Sequence, residues 1–417
     1  MKKINNEFNE DIYRFQTDSG LDVIYLHREG FKKSTGVLAV PFGAIHLNQS
    51  LDGKQVNHPS GIAHFLEHKL FEDEGIDVFQ IFTDLGASSN AFTSYDYTMY
   101  YFTQNHKLLE SLDVLLKFVR QFSISNASVE KEKPIIVEEI KMYEQMPDMK
   151  LLMETYRNVF HTYPFIYDIA GTKESVNAST LDDLDTAFAL NYHDSRLLLV
   201  VIGPEDPMLI KELVDKHPQN STSELGVVEN IGVNEPLTVV HKERHIEGDI
   251  AMEKMSYAFK FAYEGQDKMK DQFLIRRILD MNFSELNPDY QKWLDDDIIT
   301  DFFSYDVDLR ENFGVVYFFN QSDKQEEFKS LIFKMMNNLI IDADLFEQIM
   351  KRSYGEIILS LSQFDRLAFS IAQAEFNNQD YFESVANLRR LTLDDVLTIK
   401  SVLQDFDDSF LLMKGQA

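Results

Sequence analysis

Strand-like and helix-like segments alternate along this chain, and the alternation starts over near its middle. Leu21 to Leu26 and Thr35 to Leu47 are strand-like, Gly61 to Phe71 and Asp77 to Leu85 helix-like. Ala87 to Thr93 and Tyr97 to Thr103 read as paired strands. Helical patterns follow from His106 to Phe122, Val129 to Tyr156 and Thr180 to Tyr192, before the apolar run Leu197 to Ile202. Pro218 to Pro236 is rich in Asn, Ser, Thr, Gly and Pro, has little periodicity and reads as a linker. Beyond it a strand (Ile250 to Ala262), a helix (Asp267 to Met281) and two strands (Thr300 to Val307, Gly314 to Asn320) are expected. Helices from Lys324 to Leu339, Asp344 to Leu361 and Leu393 to Leu403 precede a last strand, Ser409 to Met413. Such a mixture predicts an α+β fold with helices packed on sheets. The repeated order predicts two homologous domains, residues 1–217 and 237–417, joined by a linker at 218–236.

Composition excludes several functions. A chain of 417 residues with 33 Phe and 18 Tyr can build real cores, so disorder is ruled out. A net charge of −29 repels phosphate, which argues against nucleic acid and anionic membrane as partners. There is no cysteine, so disulfides and thiolate metal sites are impossible, and a metal must be held by His, Asp or Glu. The first residues lack the apolar core of a signal peptide, and no run approaches a membrane span. The expected address is cytoplasmic, with no membrane partner.

One short stretch carries chemistry. His64-Phe65-Leu66-Glu67-His68 reads H-x-x-E-H, and positions i, i+3 and i+4 of a helix share a face. Ile62, Ala63, Phe65, Leu66, Leu70 and Phe71 make the rest of the segment apolar. Two imidazoles and a carboxylate in such a helix are costly unless paired or metal-bound. Zinc suits this donor set, with an open position for water. A carboxylate beside the metal can take a proton from that water and pass it on, which is the task expected of Glu67. The third ligand must be an acid on another element. In the helix expected around 132 to 146, Glu132 and Glu139 lie within about 60° of each other, on a face with Ile135, Ile136, Met142, Tyr143 and Met146. Two carboxylates on a buried face need a partner; Glu138 points elsewhere and is expected to be solvated.

The two-part pattern, His64-x-x-Glu67-His68 then Glu132-x6-Glu139, resembles the M16 (pitrilysin/insulinase/mitochondrial processing peptidase) family of zinc metallopeptidases, in its short bacterial two-domain type. The resemblance covers nearly the whole chain. It implies half of a clamshell, each domain a mainly antiparallel sheet packed with helices, with the zinc site in the first. It further implies one Zn2+ per chain on His64, His68 and Glu139, Glu67 as general base and Glu132 as a supporting acid of the site. The stretch Gly86 to Thr93, and then Thr98 to Tyr100, resembles the family's sheet-edge strand. Peptide would there pair with Ala87, Ser88, Ser89, Asn90, Ala91 and Phe92. Gly171 matches a structural turn. The implied activity is zinc endopeptidase action on peptides within a closed chamber; the alternative is a vestigial subunit that only binds peptide.

In many members the second half carries an Arg and a Tyr that reach substrate, in a segment like L-R-E-x-x-G-L-A-Y. Leu309-Arg310-Glu311 through Gly314 to Tyr317 matches that string. The family's Arg, however, ends a helix, whereas Phe302 to Val307 reads as a strand. The register that keeps the helix aligns Leu294 and Thr300 with the Arg and Tyr, leaving both absent, and is preferred. A second M16-like chain would then supply that half of the site in a heterodimer. If Arg310 and Tyr317 are the pair, a homodimer follows.

Overall fold

A computed structural model describes residues 1–73, 76–217 and 225–415. The chain divides into two compact units. The first comprises Met1–Lys141, Tyr167–Gly232 and Ile358–Ser384, the second Met142–Ile166, Val233–Ile357 and Val385–Ala417. Of the linker expected at 218–236, residues 218–224 lie outside the described residues. Val228–Asn230 is a short strand that extends the pair Asn48–Leu51 and Lys54–Asn57 into a three-stranded sheet.

The first unit is built on a seven-stranded sheet, in the order Lys2–Ile4, Asp11–Gln16, Asp22–His27, Leu198–Gly203, Ser34–Val40, Thr98–Gln104, Ser88–Thr93. Leu198–Gly203 and Ser34–Val40 are buried along their whole length, as central strands covered on both faces are. The strand expected from Thr35 to Leu47 stops at Val40. Pro41 has no N–H to give the ladder, and beyond it Gly43 N–H turns to His46 Nδ1 at 2.8 Å. Helix Ile62–Leu70 shares one core with Tyr100, Phe102, Leu112 and Leu116.

The second unit holds a five-stranded sheet, Glu243–Gly248, Phe406–Gly415, Lys254–Ala262, Phe313–Gln321, Ser304–Leu309. Its pairing repeats that of the first. Phe406–Gly415 is parallel to Glu243–Gly248 and antiparallel to Lys254–Ala262, as Leu198–Gly203 is parallel to Asp22–His27 and antiparallel to Ser34–Val40. An antiparallel hairpin then completes each sheet. The mixed α+β class and the duplication expected from the sequence are both present.

Each unit also borrows a helix from the other half of the sequence. Pro147–Val159 packs on Lys254–Ala262 and Phe406–Gly415, while Phe364–Phe376 packs on Ser34–Val40 and Leu198–Gly203. The single helix expected from Val129 to Tyr156 is two, Asn126–Gln145 and Pro147–Val159. Pro147 cannot continue the first and opens the second, where its missing N–H costs nothing. Among the described residues no helix is long and apolar enough to cross a membrane.

Candidate metal centre

Helix Ile62–Leu70 buries Ile62, Ala63, Phe65, Leu66, Lys69 and Leu70, which leaves His64, Glu67 and His68 together on its half-buried side. Its entry is fixed by a close approach of two backbones. Gly61 and Gly171 both have φ +86°, and a Cβ on either would lie 2.2 Å from Ala170 O or 2.3 Å from Ser60 O. Only glycine meets both demands. Ser175 Oγ donates to Ser60 O at 2.8 Å, and Ser60 Oγ donates to Ser175 Oγ at 2.9 Å. The turn expected at Gly171 therefore holds the start of the motif helix.

Helix Asn126–Gln145 brings the second set of acids. It meets the core through Val129, Ile136 and Ile140. Glu132 and Glu139 lie about 60–80° round the helix from that stripe, half-buried beside it. Ile135 and Met142, and Met146 just beyond the helix, were expected on a buried face with these acids but are exposed. They lie further round than the acids, so the buried stripe ends before reaching them. Glu138 is solvated, paired with Lys141 at 2.6 Å.

His64, His68 and Glu139 each offer a ligand atom, and these lie within 4.8 Å of one another. His68 Nε2 is 3.4 Å from Glu139 Oε2, and His64 Nε2 is 3.8 Å from Glu139 Oε1. Ligands about 2.0–2.1 Å from a tetrahedral zinc stand about 3.4 Å apart, so the donor set fits a small cation with little adjustment. His68 Nδ1 bonds to Glu132 Oε1 at 3.1 Å, which leaves Nε2 for the metal. Lys69 Nζ donates to Glu132 Oε2 at 3.2 Å. His64 Nδ1 is buried with no hydrogen-bond partner among the described residues.

The charges follow from these contacts. Burial, with His68 beside it, holds His64 down to about 4. Burial also opposes charge on His68, but hydrogen bonds to Glu132 and Glu139 outweigh it and raise the ring to about 9. The His68 hydrogen bond lowers Glu132 against the cost of its burial, with help from Lys69. Glu67 is raised by burial, although Thr93 Oγ1 donates to its Oε2 at 2.8 Å and works the other way. Glu67 is absent from the three-residue cluster.

Ser88–Thr93 is the terminal strand of the seven-stranded sheet, paired on one side only, with Thr98–Gln104. Ser88 to Phe92 thus lie on a sheet edge, and Ala87 immediately precedes it. Thr93, Lys69, Ser60 and Ser175 escape sequence reasoning. Lys69 alone carried a signal, an ammonium in an apolar helix that needs a buried acid.

Arg310 and Tyr317 belong to the second unit. Arg310 occupies the tight turn between Ser304–Leu309 and Phe313–Gln321, with its N–H bonded to Phe313 O at 2.8 Å. Its guanidinium pairs with Asp308 at 3.0 Å and stacks 4.6 Å from the Phe165 ring. Tyr317 is buried in the strand, its ring edge-on to Tyr156. Helix Tyr290–Asp295 carries Leu294, and Thr300 follows it in a turn.

Comparison with known proteins gives the family. A family model described as Insulinase (Peptidase family M16) matches residues 23–173. An uncharacterized zinc protease, YmfH of Bacillus subtilis (strain 168), is 30% identical over 401 residues, 94% of either chain. The crystal structure of an M16-like peptidase from Alicyclobacillus acidocaldarius matches with a TM-score of 0.91 and 26% identity over 99% of this chain and 100% of that one. Pitrilysin shares the fold, with a TM-score of 0.73 at 14% identity over 99% of this chain and 46% of its own. Kinship at 30% identity along almost the entire length, over a fold that solved M16-like peptidases share, makes this chain a member of peptidase family M16, the insulinase family.

Proposed function

We propose that the chain is the zinc-bearing, catalytic subunit of an endopeptidase that cuts extended peptides, completed by a second M16-like chain. One observation carries the reading: His64, His68 and Glu139 converge as ligands while Glu67, on the same helix, stays outside the cluster with its carboxylate held by Thr93. His64, His68 and Glu139 would hold Zn2+. A zinc so bound supplies a Lewis acid and a water whose pKa falls toward about 7. Glu67, raised by its burial, is suited to take a proton from water and return it to the leaving amine. Glu132 holds the His68 ring in one tautomer, and Lys69 holds Glu132. The unpaired side of Ser88–Thr93 offers backbone groups to an extended peptide, with Ala87 to Phe92 as the contact segment.

The split site rests on Arg310 and Tyr317. Arg310 is engaged by Asp308 and Phe165, and Tyr317 is buried against Tyr156 within the second unit's own packing. Leu294 and Thr300, the residues at the helix end, cannot replace an Arg and a Tyr. A partner supplying that pair follows, and a homodimer requires Arg310 to be released. The test is cleavage of an unstructured peptide by the zinc-loaded chain, alone and with a co-purified M16-like chain, with Glu67→Gln as control. Cleavage that survives chelation, or that Glu67→Gln leaves unchanged, would falsify the reading.

A further inference from the structure

We propose that Thr93 is the positioning residue for Glu67 and ties it to the strand on which peptide docks; this rests on the zinc-peptidase reading above. Thr93 ends the edge strand Ser88–Thr93, and the alternation of that strand decides what it faces. Phe92 points to one side of the sheet, edge-on to Phe369 at 5.3 Å. Ala91 and Thr93 point to the other, where Ala91 packs on the core that includes the motif helix. There the Thr93 hydroxyl donates to Glu67 Oε2 at 2.8 Å.

Thr98 Oγ1 donates to Phe42 O at 2.9 Å and lies 3.4 Å from Thr93 Oγ1, so the shorter contact of the Thr93 hydroxyl is the 2.8 Å one to Glu67. A hydroxyl has one proton to give. With Oε2 engaged, Glu67 takes and returns its proton at Oε1, and the bond to Thr93 persists in both states. The carboxylate need not rotate between the two transfers. The same residue is part of the peptide-pairing strand, so a peptide that orders Ser88–Thr93 also orders the base.

The test compares wild type, Thr93→Val and Thr93→Ser, all zinc-loaded, in kcat, KM and zinc content, with crystal structures of each. Valine keeps the branched shape and loses the hydroxyl; serine keeps the hydroxyl. Thr93→Val should lower kcat about 10- to 100-fold, the range for a lost hydrogen bond to a charged group, with KM and zinc content unchanged. Thr93→Ser should recover most of the loss, and the Glu67 carboxylate should be turned in the valine structure only. A valine variant as fast as wild type, a serine variant no better than valine, or a Glu67 orientation unchanged by valine overturns the proposal. A wild type that cleaves no peptide even with the co-purified M16-like chain overturns the zinc-peptidase reading instead, and the Glu67 orientation still decides the part played by Thr93.

Discussion

Glu67, Glu132 and Glu139 are the same carboxylate given three tasks by their neighbours. Glu139 faces two imidazoles, Glu132 is held between His68 and Lys69, and Glu67 is buried against a threonine. Substitution should separate them. Glu132→Gln should weaken zinc binding about 10- to 100-fold, measured by competition with a chelator of known affinity, because the His68 ring loses its charged partner. Glu67→Gln should leave zinc binding alone and lower kcat about 10²- to 10⁴-fold in steady-state peptide assays. These acids were legible in the sequence because helix geometry fixes which side chains share a face. Thr93 was not, because its meeting with Glu67 depends on how a strand packs against a helix.

Another buried acid, Glu235, is paired in the second unit. Lys260 and Glu235 pair at 2.6 Å with almost no exposure, and Glu235 also accepts N–H groups of His161, Thr162 and Tyr163. Burial opposes charge on Glu235, but those bonds hold it below its ordinary 4.5; burial pushes Lys260 down despite the pair. Glu235→Ala strands a buried ammonium and should cost about 3–5 kcal/mol in urea unfolding. The sign with pH follows from the lowered carboxylate. Its contribution is full above 4.5 and is lost as pH falls through its lower folded value, so the gap between wild type and Glu235→Gln should narrow in acid.

At the scale of elements, the centre depends on how the motif helix is held. The facing of Gly61 and Gly171 makes a turn about a hundred residues downstream part of the helix entry. Gly171→Ala strains a left-handed residue and drives a Cβ toward Ser60 O. It should lower stability by about 1–3 kcal/mol by thermal unfolding and weaken zinc binding as well, with every ligand intact. Existence and kind of most of the long elements were readable from periodicity. Their ends were misread where proline intervened, at Pro41 and at Pro147. Phe364–Phe376 and Tyr381–Leu388 were passed over, as was the strand Asp11–Gln16. In the first of these helices Ala368, Ile371, Ala372 and Ala374 pack as a buried face that only the fold reveals.

At the scale of the whole molecule, the duplication was visible as a repeated order of elements, but the exchange of helices between halves was not. Periodicity marks the segment of Pro147–Val159 as helical but not which sheet it covers, and Phe364–Phe376 was not read from it at all. On the split-site proposal, the zinc centre would likewise need a counterpart. If a partner supplies the Arg and Tyr, the isolated chain should cleave an unstructured peptide about 10²- to 10³-fold more slowly than the mixture, the usual cost of missing transition-state donors. An isolated chain of full activity would contradict the split site.

His64, His68 and Glu139 are proposed to bind zinc, and Glu67 is not. Calorimetric titration of metal-free protein with Zn2+ tests it without need of substrate or partner. One zinc per chain is predicted for wild type and for Glu67→Gln at equal affinity, with Glu139→Gln weaker by about 100-fold or more. No zinc bound by wild type, or equal losses in Glu67→Gln and Glu139→Gln, would contradict the account.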